Sequence, residues 1–169
     1  TAGGITDGGI IEVGADGSSF TTAANQPIDL SNFTHVLGGN SVAFQTSGAA
    51  GTVALRGDTI DLAASTIGGN LSATATTGNI TQSGVLTVTS PGSIFRTLGS
   101  NSDIVLGTTG NSFSTVSLNT DGASGNATFT ANALSLSASS IGGNLTATAT
   151  TGNIAQTGVL TIGAAGSSF

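Results

Sequence analysis

Apolar and polar residues alternate along several short stretches of the chain. In NLTATATTG, Leu145, Ala147 and Ala149 alternate with threonines. The stretch TIDLAAS repeats this pattern through Ile60 and Leu62. A period of two residues places alternate side chains on opposite faces of a β-strand, and no segment has the spacing of an amphipathic helix. The pattern therefore predicts an all-β protein built from short strands.

Glycine and asparagine are concentrated between these stretches, in the motifs GGN, TTGN, QTG and AAG. Both residues adopt positive φ at little cost, so we expect tight turns with left-handed backbone at these motifs. We also expect the turn asparagines to stack in ladders. Five of them begin N-x-[ST] sequons, which are glycan acceptors in a eukaryotic secretory route: Asn32, Asn70, Asn79, Asn126 and Asn144.

One long phrase occurs twice. ASTIGGNLSATATTGNITQSGVLTV begins at Ala64, and its near copy ASSIGGNLTATATTGNIAQTGVLTI begins at Ala138. A partial third copy at the start of the chain places Phe20, Phe95 and Phe169 at equivalent positions, where we expect core residues. Repetition of this extent indicates a repeat architecture.

The repeat divides the chain into three segments. Residues 1–20 form the end of a preceding unit, and residues 21–95 and 96–169 form two complete units. We expect the three segments to build one continuous solenoid, because each unit of a repeat protein buries its apolar row against its neighbours.

A solenoid fits the inward positions better than a β-sandwich or a propeller. Many of these positions hold alanine, serine or glycine, and seven phenylalanines are few for a sandwich core. A narrow parallel β-helix accepts small inward residues because each coil stacks on similar coils. With roughly 19 residues per coil, each unit has about four coils and the chain about nine, a rod on the order of 40 Å long. We expect no caps, so the terminal strand edges need further repeats or head-to-tail copies to cover them.

Charge and composition exclude several classes of partner. The sequence has two basic and eight acidic residues, for a net charge of −6, which argues against binding to nucleic acid or to anionic membrane surfaces. The sequence has no apolar run long enough for a membrane-spanning helix, so we expect no membrane insertion. The absence of cysteine excludes disulfides and thiolate metal sites. The chain opens without signal-peptide features, so we expect any signal peptide to lie outside it.

The tripeptide Arg56, Gly57 and Asp58, within VALRGDTIDL, is the one candidate receptor contact. An exposed loop with this sequence could engage an integrin. The competing interpretation is a plain solvated turn, since the equivalent residues of the second unit are Thr130, Ala131 and Asn132.

No catalytic, cofactor or metal site is predicted. His35 is the only histidine, and zinc needs three or four convergent ligands, so we expect a solvent-facing or locally bonded imidazole. No G-x-S-x-G motif occurs, and the nearest acidic pair, Asp58 and Asp61, falls on opposite faces of a strand unless a turn intervenes between them. We therefore predict that the protein is not an enzyme. An ordered calcium array is not expected either, because the calcium nonapeptide is absent and these aspartates are isolated: Asp7, Asp16, Asp103 and Asp121.

The repeated motifs resemble the repeat region of filamentous-haemagglutinin-like exoproteins, the large adhesins exported by two-partner secretion in Gram-negative bacteria. The motifs are IGGNL at Ile67 and Ile141, TGNI at Thr77 and Thr151, and SGVLTV or TGVLTI at Ser83 and Thr157. The resemblance implies a right-handed parallel β-helix, export across the outer membrane, and a location outside the cell or on the bacterial surface. It also implies a shaft that projects a distal binding or toxin module.

Two functional hypotheses follow. The first is a structural shaft segment of a surface adhesin or extracellular fibre, which mediates cell adhesion or forms matrix or filaments. Its partners would be further repeats, head-to-tail copies or a receptor on a host or neighbouring cell. The alternative is a carbohydrate- or ligand-binding β-solenoid, including an ice-binding face made from the T-x-T pairs. A groove of stacking aromatic residues would favour the alternative, yet tryptophan and tyrosine are absent.

Overall fold

A computed structural model describes residues 3–169, so the first two positions of the predicted segment 1–20 lie outside the described residues. The described chain forms twenty β-strands and no helix. The strands are β1 (Ile5–Thr6), β2 (Ser18–Thr21), β3 (Ile28–His35), β4 (Ser41–Gln45), β5 (Val53–Gly57), β6 (Ile60–Leu62), β7 (Ser65–Ile67), β8 (Leu71–Ala75), β9 (Ile80–Gln82), β10 (Leu86–Val88), β11 (Ser93–Thr97), β12 (Ile104–Leu106), β13 (Ser112–Phe113), β14 (Val116–Asn119), β15 (Ala127–Ala131), β16 (Leu134–Leu136), β17 (Ser139–Ile141), β18 (Leu145–Ala149), β19 (Ile154–Gln156) and β20 (Leu160–Ile162).

The strands stack in parallel as a β-solenoid of about eight turns, which confirms the predicted fold class and comes close to the predicted nine coils. They belong to two ten-stranded sheets, which we call the first sheet (containing β1, β5 and β8) and the second sheet (containing β2, β4 and β6). The coils vary in length. The coil from Ile28 to its partner Val53 is longer than the next coil, from Val53 to its partner Leu71. The ladder runs through both unit boundaries, which fall inside β2 and β11.

One unit of the sequence repeat corresponds to three and a half turns, not to the four expected. Ala54, Ser72, Ile94 and Ser117 are successive partners across three turns of the first sheet. Thr128, the equivalent of Ala54 in the next unit, lies in β15 of the second sheet. Equivalent residues of successive units therefore occupy different faces of the rod.

The cross-section of the rod changes with this half-turn. From β5 to β13, each turn has one longer strand on the first sheet (β5, β8, β11) and two short strands on the second (β6 and β7, β9 and β10, β12 and β13). After β14 the sheets exchange roles: β15 and β18 are the longer strands of the second sheet, and the first sheet carries the short pairs β16 and β17, β19 and β20. Two units thus restore the original arrangement.

The core is a set of inward columns, and in some of them a small residue lies beside a phenylalanine on the adjacent strand. Phe95 lies between Ala73 and Leu118, its partners on the adjacent strands, and all three are fully buried. Phe129 likewise pairs with Ala147 on the second sheet. Small inward residues therefore make room for the phenylalanines. Phe95 is a core residue as predicted, but its equivalent Phe169 is 67% exposed.

A ladder of side-chain oxygens along one edge confirms the expected stacking for Asn79, Asn126 and Asn144, whereas Asn32 and Asn70 lie outside it. The Asn79 amide oxygen accepts the N–H of Asp103 at 2.8 Å, and the Asp103 carboxylate accepts that of Asn126 at 2.7 Å. The Asn126 amide oxygen then accepts the N–H of Asn144 at 2.9 Å, and the Asn144 amide oxygen accepts the N–H of Gly166 at 2.8 Å. Each side chain thus satisfies a backbone donor that the turn would otherwise leave unpaired.

The repeated glycines serve a different purpose from the one expected. Positive φ occurs at glycines such as Gly48 and Gly122, but not at the IGGNL glycines Gly68 and Gly69. A Cβ on Gly69 would lie 2.6 Å from the Thr52 backbone nitrogen on the preceding turn. The prediction of left-handed backbone at this motif was wrong, because its glycines are required by close contact between neighbouring coils.

Replacement of Gly69 with alanine should destabilise the rod by about 1–3 kcal/mol, because the new methyl group meets the backbone nitrogen and Cα of Thr52, which cannot rotate away. The matched control is Gly14→Ala, where a Cβ meets no atom within 4 Å. Urea unfolding of both variants checks the prediction. Equal stability of the two would show that the coils can separate at no cost.

Candidate functional site

The RGD tripeptide lies at the end of β5 and in the turn that follows it. The side chain of Arg56 is exposed, and its Nε donates a hydrogen bond to Thr34 Oγ1 at 3.0 Å. Gly57 is buried, and a Cβ there would lie 2.7 Å from Leu37 Cδ1. The tripeptide is therefore part of the stacked ladder and does not project as a loop.

The Asp58 carboxylate closes the turns of two neighbouring coils. Its Oδ1 accepts the backbone N–H groups of Leu37 at 2.8 Å, Gly38 at 3.0 Å and Thr59 at 2.7 Å. Desolvation alone would raise the pKa of Asp58, but the three N–H donors outweigh it and hold the pKa below its usual value of 3.8. A receptor that binds this carboxylate must compete with those donors, and the receptor contact stays a prediction.

Replacement of Asp58 with alanine should cost on the order of 1 kcal/mol at neutral pH, because it removes the acceptor of three N–H groups. The carboxylate is stabilising when ionised, so its contribution is present above pH 3.8 and is lost as the pH falls through the lower folded pKa. We therefore expect the difference in free energy of unfolding between wild type and Asp58→Ala to be smaller well below pH 3.8 than at neutral pH, as measured by urea unfolding. Asp121→Ala, at an exposed position, is the control. A stability difference between wild type and Asp58→Ala that does not depend on pH would contradict this role of the carboxylate.

A buried acid and imidazole join the first two coils. Asp7, just after β1, faces His35 at the end of β3, with 3.3 Å between Oδ2 and Nε2 and no exposed area on either side chain. Asn32 Nδ2 donates to Asp7 Oδ1 at 2.6 Å, and the Phe33 N–H donates to Oδ2 at 3.1 Å. Desolvation raises the pKa of Asp7, yet these donors outweigh it and leave the pKa below its usual value. The sequence suggested that Asp7 is isolated, but in the structure it has three polar partners.

The hydrogen bonds of His35 define its tautomer. The Ile11 N–H donates to Nδ1 at 3.0 Å, so Nδ1 is an acceptor and the ring proton lies on Nε2, facing Asp7. This confirms a locally bonded imidazole and excludes the solvent-facing one. Because neither side chain reaches the surface, the pair cannot contact a substrate, and its role is to hold the bulge of β3 onto the coil below.

A second polar pair, which the sequence did not single out, joins three later coils and consists of buried Asn111 and half-buried Gln82. Asn111 is fully buried, and its Oδ1 accepts the Leu86 N–H at 2.9 Å. Its Nδ2 donates to the Thr130 carbonyl and to Gln82 Oε1, each at 3.0 Å. Every polar atom of this side chain has a partner, so the pair fixes the register of the coils it connects.

The threonines that suggested an ice-binding face do not form an unbroken array in the described chain. Thr128 and Thr130 stack on Thr146 and Thr148, but Val105 continues the first of these columns. On the first sheet Thr74 has Arg56 and Arg96 as its neighbours. A regular threonine lattice would need the same residue on successive coils.

Two other features are absent from the described chain. Within residues 3–169, no group of three or more histidine, cysteine, aspartate or glutamate side chains could hold a metal ion. Over the same residues, no helix is long and apolar enough to cross a membrane.

The geometry and the repeat together define a β-solenoid repeat protein. The chain matches the family described as Repeats of unknown function (DUF5649) over residues 50–119 and 124–168, which is more than half of its length. The chain therefore belongs to this family. No curated protein and no solved structure matches it.

Proposed function

We propose that this chain is a shaft segment of a large secreted bacterial surface adhesin or extracellular fibre, and that its function is mechanical, not catalytic. The observation that carries the proposal is the uninterrupted parallel ladder, which runs through about eight turns around one continuous apolar core. Eight turns at ~4.8 Å correspond to a rod of about 40 Å. The rod gains length with every added unit, because each unit contacts only its neighbours.

Several features support a load-bearing role. Adjacent coils are joined by backbone hydrogen bonds on both sheets, by the Asn79 to Gly166 ladder and by the two polar pairs. Axial force therefore acts on many bonds at once. The buried bonds are also shielded from water, which slows local opening and access by proteases.

Export and surface location are inferred from the resemblance of the IGGNL, TGNI and TGVLTI motifs to filamentous-haemagglutinin-like exoproteins. In this proposal, further repeats or head-to-tail copies cover the strand edges, and a module beyond the shaft contacts a receptor on a host or neighbouring cell. The coil that ends at Phe20 and the coil that ends at Phe169 have equivalent sequences, which supports stacking of copies with matched registers.

Electron microscopy of lengthened chains tests the shaft. Duplication of residues 21–169 adds two units, or about seven turns, and should lengthen the rod by about 34 Å at constant width. A chain with a single added unit is the matched control and should grow by half as much. Particles that grow in width instead of length would contradict a shaft.

Labelling of intact source cells tests the location separately. An antibody raised against residues 21–169 should bind cells without permeabilisation if the segment is exported. Labelling that requires permeabilisation would contradict export, but it would not contradict the rod structure, which the electron microscopy tests.

A further inference from the structure

The two arginines of the chain lie in one column on the outer surface of the first sheet. Arg56 pairs with Thr74, and Thr74 pairs with Arg96, so the arginines stand two coils apart. Two strand spacings correspond to about 10 Å along the rod axis. Asn119 and Ser140 continue the same column. The fold therefore brings both arginine side chains to one outward row.

Neither guanidinium has a carboxylate partner within the described chain. The only acid and base pair within 4 Å in residues 3–169 is that of His35 and Asp7. Arg56 uses its Nε for Thr34, whereas the Arg96 side chain makes no hydrogen bond to the described residues. In a chain with eight acidic residues, two arginines held in one row without a carboxylate are available to an external anion.

An open groove of about 480 Å³ adjoins this column. Its lining includes Arg96, Asn119, Ser140 and Asp121, and Ile94 supplies exposed apolar surface. The Asn119 Nδ2 donates to Ser117 Oγ at 2.9 Å, which fixes the amide and leaves its Oδ1 without a donor from the described residues. The volume falls within the ~300–1,000 Å³ range of ligand sites.

The donor and acceptor set of the groove selects the class of ligand. An arginine fork binds a carboxylate through two hydrogen bonds, whereas an ionised aspartate can only accept them. A ligand that uses all three side chains therefore carries an anionic group such as a carboxylate, for Arg96, and hydroxyl donors, for Asp121 and Asn119. Uronate sugars carry both, and a chain of them along the rod axis can bring another carboxylate to Arg56. A nucleic acid would place its phosphates beside the Asp121 carboxylate, and the net charge of −6 also opposes the binding of nucleic acid.

We propose that the column Arg56, Thr74, Arg96 and Asn119, with its groove, binds an extended acidic polysaccharide built from uronate sugars. This site lies on the side of the rod, so the proposal goes beyond the shaft function and does not depend on it. The other acidic residues weaken binding only at short range, because charges more than about 8 Å away are largely screened at physiological ionic strength.

Calorimetric titration of the whole chain with polygalacturonate oligomers tests the proposal, with neutral dextran as the uncharged control. Arg96→Gln should weaken binding about tenfold or more, and Arg56→Gln should weaken it as well. Asp121→Ala should also weaken binding, because it removes a hydroxyl acceptor. Thr130→Gln is the matched control at the position equivalent to Arg56 on the other sheet, and it should leave binding unchanged.

Three outcomes would overturn the proposal. The first is an absence of binding at millimolar oligomer while circular dichroism shows the native β-sheet spectrum. The second is tighter binding by Asp121→Ala together with equal binding of sulfated dextran, which would indicate charge attraction alone. The third is unchanged binding by both arginine variants. The Arg96→Lys variant, which keeps the charge but loses the fork, should bind with intermediate affinity.

Discussion

Replacement of Phe95 with alanine lowers the free energy of unfolding by about 3–5 kcal/mol, the largest effect expected for a single substitution in this chain. Phe95 is fully buried and packs edge to face on Phe113, with 5.8 Å between ring centroids. Its neighbour in the column below is Ala73, which is too small to fill the space that the lost ring leaves. A cavity therefore remains, and its cost adds to the lost burial of the ring.

Urea unfolding followed by circular dichroism measures this effect. The matched control is Phe33→Ala, at a phenylalanine that is 39% exposed on the bulge of β3, and its cost should stay below about 1 kcal/mol. If the Phe95 variant lost no more stability than the Phe33 variant, the packing of large against small residues across adjacent coils would not hold the core together.

Replacement of Asn111 with alanine should cost about 3 kcal/mol, because it leaves backbone groups on two other coils without partners. The fully buried Leu86 N–H loses its acceptor, and the half-buried Thr130 carbonyl loses a donor. Asn153→Ala is the control, since Asn153 is exposed and its side chain makes no hydrogen bond to the described residues.

A double-mutant cycle with Gln82→Ala separates the pair from its surroundings. Gln82 and Asn111 exchange two amide hydrogen bonds, so the cycle should return a coupling energy of about 1 kcal/mol or more. Additive losses would show that the two amides act independently and would remove the register-fixing role assigned to them.

The fold class could be predicted from sequence because the alternation of residues is local. In NLTATATTG the inward and outward positions follow from period two alone, and Leu145 and Ala147 are buried as expected. The asparagine ladder was also predictable, because stacked coils bring like turns together. These features need no knowledge of how many residues each turn contains.

The half-turn of the repeat could not be predicted, because it depends on the sum of several unequal coils. The short coil that starts at Val53 and the long coil that starts at Ile28 both consist of short alternating stretches joined by glycine-rich turns, and this pattern does not show that their lengths differ. The assumption of a uniform coil therefore gave four turns where three and a half occur. The consequence is physical: Phe95 stacks on Ala73 and Leu118, which come from different places in the unit, and not on its own repeat equivalent.

The polar pairs were missed because comparison of the units hides them. The position equivalent to Asn111 in the preceding unit is Leu37, an apolar residue that is also buried. Asp7 and Gln82 are equivalent in the same way, yet one pairs with an imidazole and the other with an amide. Only one partner in each bridge is at an equivalent position, because Asp7 corresponds to Gln82 whereas Asn111 corresponds to Leu37 and not to His35.

The arginine column was hidden by distance along the chain. Arg56 and Arg96 are far apart in the sequence and occupy different places in their units. Only the parallel register places both beside Thr74. The composition argued against anionic partners in general, whereas the arginine column brings both arginines of the chain to one face, where an acidic polysaccharide can bind them.

The distance between spin labels at Thr74 and Thr148 tests whether one unit makes three and a half turns of a parallel solenoid. A second pair, Thr74 and Thr161, serves as the ruler: these residues lie in one column, four strand spacings or about 19 Å apart. We expect Thr148, on the second sheet, to lie clearly farther from Thr74 than Thr161 does, although Thr148 is closer in sequence. A Thr74 to Thr148 separation no greater than that of the ruler pair would place both copies on one face and contradict the account.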